Sequence, residues 1–325
     1  MRTASRAFIG ALLVATAAAV SVDLVAQSAG AAKPRAASTA ASKHRTPWGD
    51  PDLQGIWSNT TTTPLERPES FGSKTVLSDE ERADLAPKVA DQLNVDRQQR
   101  PGGVVPYNEF WFERGTLGNQ TALIVDPPDG KVPPFTPEGQ KRWDARRPDA
   151  ADSHLDRSPF DRCLSRGMPG AMMPGFYNHN YQIVQSPGYV AILVEMIHDV
   201  RIIRLDGTPH LNGAIRQWLG DSRGRWDGNT LVVETTNLND KVFARGGVTG
   251  YGGTLKMIER FTRISADQID YRFTIEAPAV FTKPWTVSTP MSKIDGPIYE
   301  YACHEGNYAM TGILSGARSR ERSAK

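Results

Sequence analysis

Chemistry in this sequence could come from carboxylates, from histidines or from one serine, and each is limited by its neighbours. Glu195, Glu234 and Glu259 lie within or at the ends of apolar runs. There an inward-pointing carboxylate loses its hydration, rises in pKa and can serve as a general acid. Strand alternation separates the three. Glu259 shares a face with Met257 and Phe261 and is expected to point inward, whereas Glu234 shares its face with Val232 but also with Thr230 and Thr236. The competing expectation is a structural ion pair to Arg201, Arg204 or Arg260. Glu195, Glu259 and His304 are the catalytic candidates.

Metal binding would draw on His179, His198, His210 and His304, with Glu195 and Glu305 as oxygen ligands. The spacing gives no H-E-x-x-H or H-x-H pattern, and residues three apart on a strand, such as Glu195 and His198, face opposite sides unless a turn intervenes. No metal and no other cofactor is expected. Gly220-Asp221-Ser222-Arg223-Gly224 matches the G-x-S-x-G string of serine hydrolases, but a nucleophile elbow requires a helix after the serine. Here Trp226-Asp227-Gly228-Asn229 turns into another apolar run, so a glycine bend in a sheet is expected instead.

Two segments have the mixture that orients small ligands, Asn178-His179-Asn180-Tyr181 and the stretch from Tyr301 to Tyr308. His179, Tyr181, His198, Glu234 and Glu305 are the ligand-contact candidates. Trp111 joins them from the segment Tyr107 to Arg114, which carries four aromatics in six residues.

The elements that must position these residues are mainly strands. Asp227-Gly228-Asn229 supplies a hairpin turn ahead of the β-branched run Thr230 to Thr236. Around it, period-two alternation predicts strands at Tyr181–Gln185, Tyr189–Glu195, Val200–Leu205, Leu255–Ile264 and Ile269–Glu276. Trp285–Thr289 and Pro297–Ala302 would bring the number to about eight or nine. A sequential antiparallel meander of that size is expected to curl into a lipocalin-like barrel or a strongly curled sheet able to hold one small ligand.

Short helices precede it. Ser78 with Glu81 forms a capping box for a helix to about Asn94, with Pro87 expected to kink or split it, and Thr136-Pro137 opens another. These helices and the segment around Trp111 are expected to cover one opening of the barrel. The Arg-rich end from Ser315 to Lys325 reads as a frayed tail.

The chain has 325 residues, 39% hydrophobic and 23% charged, with a formal net charge of +2. That is a globular composition, with too little positive charge to make nucleic acid or an anionic membrane surface a partner. Arg2 and Arg6 precede an apolar stretch from Ala7 to Val20, and Ala29-Gly30-Ala31 is a candidate cleavage site, the pattern of a secretory signal peptide. The expected organisation is a signal peptide over 1–31, a disordered linker over 32–46, one β-rich domain over 47–317 (a helical and loop part to 177, then the meander) and a tail. In a secreted or periplasmic chain the only two cysteines, Cys163 and Cys303, are expected to form a disulfide.

Gly55-Ile56-Trp57, Leu205-Asp206-Gly207-Thr208-Pro209-His210, Gly220-Asp221-Ser222, Trp226-Asp227-Gly228-Asn229-Thr230-Leu231-Val232-Val233 and Glu259-Arg260-Phe261 resemble a large family of secreted bacterial proteins with no assigned activity. The resemblance spans about Trp48 to Ala317 and implies no catalytic residue. Gly55-x-Trp57 also resembles the first-strand signature of lipocalins. The expected function is an exported β-barrel that binds a small amphipathic or apolar ligand. The alternative is an extracytoplasmic hydrolase or lyase using carboxylate, histidine or metal chemistry.

Overall fold

A computed structural model describes residues 44–97, 107–145, 150–241 and 253–324. The expected signal peptide and residues 32–43 of the expected linker lie outside them. Within the described residues the strands are β1 (Gly55–Ser58), β2 (Ile124–Asp126), β3 (Asn180–Ser186), β4 (Tyr189–Val194), β5 (Val200–Arg204), β6 (Asp221–Asp227), β7 (Thr230–Thr236), β8 (Lys256–Arg263), β9 (Gln268–Glu276), β10 (Trp285–Ser288) and β11 (Met291–Lys293). The α-helices are α1 (Asp79–Leu93), α2 (Pro137–Asp144) and α3 (Ala309–Ser323).

Side-chain alternation produces the barrel wall. On β9, Ile269, Tyr271, Phe273 and Ile275 are buried, while the residues between them are exposed or half-buried. On β8, Met257, Glu259 and Phe261 do the same. β6 and β7 form the expected hairpin, pairing from Asp221↔Thr236 to Asp227↔Thr230. Gly228, at φ 60°, occupies the turn position that needs left-handed backbone.

The strands are hydrogen-bonded in the order β11-β1-β3-β4-β5-β6-β7-β8-β9, and β11 pairs back onto β9, closing a nine-strand barrel. β10 and β2 continue from the other half of β9 as a flap. All of these neighbours are antiparallel except β5 and β6, which run parallel through Ile203↔Ser222 and Arg204↔Arg223. The continuous meander expected from the sequence is therefore broken once. Hairpin signals specify only local reversals, and the sixteen-residue connection 205–220 returns the chain to the end from which β5 started.

Residues of and around the connection hold it down. Asp206 accepts hydrogen bonds from the Thr208 amide and hydroxyl, which hold its carboxyl down at about 2. His210 Nδ1 lies 2.9 Å from Asp221 Oδ2, and its Nε2 lies 3.2 Å from Glu234 Oε1. The Leu211 amide donates to Asp221, and the Asn237 amide group donates to the carbonyls of Leu211, Asn212 and Ile215.

Inside, the barrel is filled by side chains. Trp57, Trp285, Tyr181, Tyr271, Phe261 and Phe273 are among the largest fully buried residues. One such ring removes roughly 200 Å² from water, worth about 5 kcal/mol before entropy is subtracted. One end is closed by the incoming chain. Leu53 is fully buried, its amide donates to Gln185, Gln185 donates to the Pro51 carbonyl, and Arg263 donates to Asp52 O while lying 5.3 Å over the Trp57 ring. The other end, where β3 begins and β4 ends, is closed by residues 168–173, with Asn59 donating to Met172 O.

Several expectations are corrected here. Helix α1 does not pack into the barrel as a plug, since every residue of it is half-buried or exposed, whereas the segment around Trp111 lies outside the end where β3 begins, with Trp111 itself 63% exposed. α1 has the capping box at Ser78 and Glu81 but runs unbroken through Pro87. Residues 297–302 are not a strand, and the three-residue β11 closes the ring instead. The Arg-rich end is helix α3, held by Arg318, which donates to the carbonyls of Ala151 and Asp152. His44 to Thr46, expected in the linker, belong to the fold: Arg45 bridges to Pro51, and Thr46 is buried.

Candidate functional site

The carboxylate expected to point inward does so. Glu259 is fully buried and meets Arg201 of β5 in a two-pronged contact, Nη1 to Oε1 at 2.9 Å and Nη2 to Oε2 at 2.5 Å. The Tyr271 hydroxyl donates to Glu259 Oε1 at 2.9 Å, and Arg201 Nη2 also reaches Ser222 and Thr235 at 3.3 Å. Arg201 Nε finds no acceptor among the described residues. Burial works against the charge of Arg201, but the adjacent Glu259 carboxylate outweighs it and holds the guanidinium above its ordinary value. Burial and then Glu259 push the Tyr271 hydroxyl well above its own. This cluster has the form of an ion pair: both carboxylate oxygens are occupied by cationic donors, and no solvent reaches them. Ser222 of the G-x-S-x-G string is part of it, bonded to Thr235 and followed by strand, as its context required.

The other two catalytic candidates lie elsewhere. Glu195 is buried beyond the end of β4, accepting from Asn180 Nδ2 at 2.7 Å and from the Tyr299 amide at 3.0 Å. His304 is exposed on the segment after Cys303. Among the described residues, Glu195, Glu259 and His304 therefore do not form one cluster. Glu234 faces outward on β7, next to His210 and with Lys256 at 3.7 Å.

The sequence did point to one real cluster at the end of the barrel where β3 begins. The Cys163–Cys303 disulfide forms, with the Cα atoms 5.6 Å apart, and brings the two polar and aromatic segments together. The exposed His198 sits there, with Nδ1 3.2 Å from Tyr301 O. His179 is buried, with Nε2 2.6 Å from Arg166 Nη1, while Arg166 lies 5.0 Å over the Phe160 ring. A side chain at Gly175 would meet the His179 ring at 1.9 Å, so the chain can pass here only as glycine. Tyr181 turns into the barrel, its hydroxyl 3.3 Å from Asn59 Oδ1, and burial raises its pKa.

Outside this floor lie two adjoining clefts that share Tyr107 and Tyr301. A cavity of about 170 Å³ is lined by Tyr107, Trp111, Phe112, Tyr177, Asn178 and Tyr301. A larger cleft of about 450 Å³ runs past Phe160, Asp161, the disulfide, Glu305, Asn307 and Tyr308. Burial, followed by the neighbouring Tyr177 and Tyr107, pushes the Tyr301 hydroxyl up to about 12. Trp111 and Glu305 are thus the ligand-contact candidates that line open space. Tyr107, Tyr177 and Asp161 were not singled out from the sequence, although Tyr107 stood in the aromatic run.

Asp199, under the same end, accepts from Ser165 Oγ at 2.8 Å, and burial raises its pKa. The folded chain therefore holds this proton more tightly than the unfolded chain does. Stability contributed here falls as pH rises from the ordinary carboxylate value through the raised one. Asp199→Asn, which keeps an acceptor for Ser165, is expected to flatten that part of the slope, and urea midpoints measured across the acid range check it.

Among the described residues, no three or more His, Cys, Asp or Glu side chains are arranged to hold a metal ion, and no helix is long and apolar enough to cross a membrane. No family model, curated protein or solved structure matches this chain.

Proposed function

We propose that the protein is an exported β-barrel that binds a small amphipathic or apolar molecule in the aromatic cleft outside the barrel, rather than along its axis. The observation that carries this reading is the pair of clefts over the disulfide. Large aromatic surface there stays open to solvent beside Asn178, Asn307 and Glu305, the combination that both desolvates and orients a ligand. Export is supported by the disulfide and by the signal-peptide pattern. Kinship with the secreted family that carries the same motifs is proposed on the same footing. The hydrolase or lyase alternative gains nothing from the placement of Glu195, Glu259 and His304.

The test is titration with N-phenyl-1-naphthylamine, a neutral amphipathic dye that brightens in apolar surroundings. The wild-type protein is expected to bind it. Trp111→Ala, at a site too exposed to affect folding, is expected to weaken binding roughly three- to tenfold, the loss of one aromatic contact. Undiminished binding in that variant would move the ligand away from this cleft.

A further inference from the structure

The form of the smaller cavity narrows the ligand class, given that the aromatic cleft is the binding site. Its rings do not lie parallel. Tyr107 and Tyr177 have centroids 6.0 Å apart at 61°, and Phe112 meets Tyr177 at 6.5 Å and 79°. Parallel walls make a slot for a flat ring, whereas walls at steep angles make a box for a globular group. At about 170 Å³ the box has room for a head group rather than for a whole drug-sized ligand.

Charge points the same way. Tyrosine, tryptophan and phenylalanine faces are negative, and they attract a cation too bulky or too methylated to form hydrogen bonds. The charged residues lining the adjoining cleft are Asp161 and Glu305, both acids. Asp161 lies 3.4 Å from Arg157. Two further guanidinium groups lie close by, and both are engaged. Arg114 lies 4.3 Å over Phe112 and is clamped by Glu109 at 2.6 and 2.9 Å, while Arg166 lies over Phe160 with Nη1 on His179. Arg114 thus already places a cation over one face of this ring.

We infer that the aromatic box holds a quaternary ammonium head group, with the remainder of the ligand running along the acidic cleft past Tyr301 and Glu305. The inference rests on the amphipathic-ligand reading and is tested separately from it. The oxidised, full mature chain is titrated with choline chloride, sodium chloride being exchanged out at constant ionic strength, and in parallel with 3,3-dimethyl-1-butanol, its uncharged isostere. Binding is followed by tryptophan fluorescence and by saturation-transfer NMR.

Choline is expected to bind about tenfold tighter than the alcohol. Trp111→Ala is expected to lose that preference, and Glu305→Gln to reduce it while leaving the alcohol unchanged. If the alcohol binds as tightly as choline, or if neither binds while the naphthylamine dye does, the ammonium assignment falls and the amphipathic-ligand reading stands. If the dye also fails to bind, both fall.

Discussion

Glu259→Ala is expected to be among the most damaging single substitutions in the barrel, lowering unfolding free energy by about 3–5 kcal/mol. Arg201 would be left charged, fully enclosed and without its carboxylate, since Ser222 and Thr235 offer it only neutral oxygens at 3.3 Å. Arg201→Ala should cost about as much for the converse reason, with Tyr271 the remaining donor to Glu259 in the cluster. The pair replaced together, as Arg201→Met with Glu259→Met, is expected to recover most of the loss, because two apolar side chains of similar size require no desolvation of charge. Urea unfolding of the wild type, Arg201→Met, Glu259→Met and the double methionine variant forms the cycle. Recovery in the double variant would identify the cluster as a structural tie. A double variant as unstable as the worse single one would mean that the barrel needs the polar network itself.

Opening the disulfide is the second large effect. Cys163 and Cys303 are 140 residues apart, so the bond restricts an unfolded loop containing most of the barrel. The chain-entropy argument gives about 5 kcal/mol for a loop of that length, and removal of such bonds typically costs about 2–5. Cys163→Ser with Cys303→Ser is therefore expected to lower the urea midpoint markedly and to increase the midpoint slope as the unfolded chain expands. The effect should be local as well as global. The bond joins the two sides of the larger cleft, so the reduced protein should lose dye affinity at urea concentrations where far-ultraviolet dichroism still reports an intact barrel.

These two ties were legible in the sequence to different degrees, for physical reasons. Glu259 stands between Met257 and Phe261 in strict alternation, and alternation fixes which face a strand residue takes. Its partner was legible only as one of three arginines, because pairing across a barrel depends on register, which local patterns do not encode. The disulfide followed from cysteine count and compartment. The strands β3 to β5, β8 and β9 were legible from period-two runs, and β7 from its β-branched run after the Asp227-Gly228-Asn229 turn. The three-residue β11 was not, since it is too short to show a period. α3 was hidden because its Arg-rich surface resembles a solvated tail, and what ties it to the fold, buried Ala317 and the Arg318 contacts to residues 151 and 152, leaves no periodic signal. At the cleft, the sequence marked the two polar stretches and Trp111 but not the box. The box is a relation between rings contributed by residues 107–112, 177 and 301, and no spacing brings those together.

The parallel pair β5–β6 has a consequence for how the ring can close at all. Walking once around a closed barrel must return to the starting strand pointing in its original direction, and every antiparallel neighbour reverses that direction. Nine reversals would return it upside down. With eight antiparallel pairings and one parallel pairing the directions match, so an odd-numbered barrel of this kind exists only by virtue of that seam. The contacts of His210 and Leu211 with Asp221 and Glu234 that hold the connection 205–220 against the wall therefore do more than tidy a loop. They latch the one place where the ring's handedness of travel is reconciled. A chain in which they are lost would open there into a curled sheet, with β5 and β6 as new free edges.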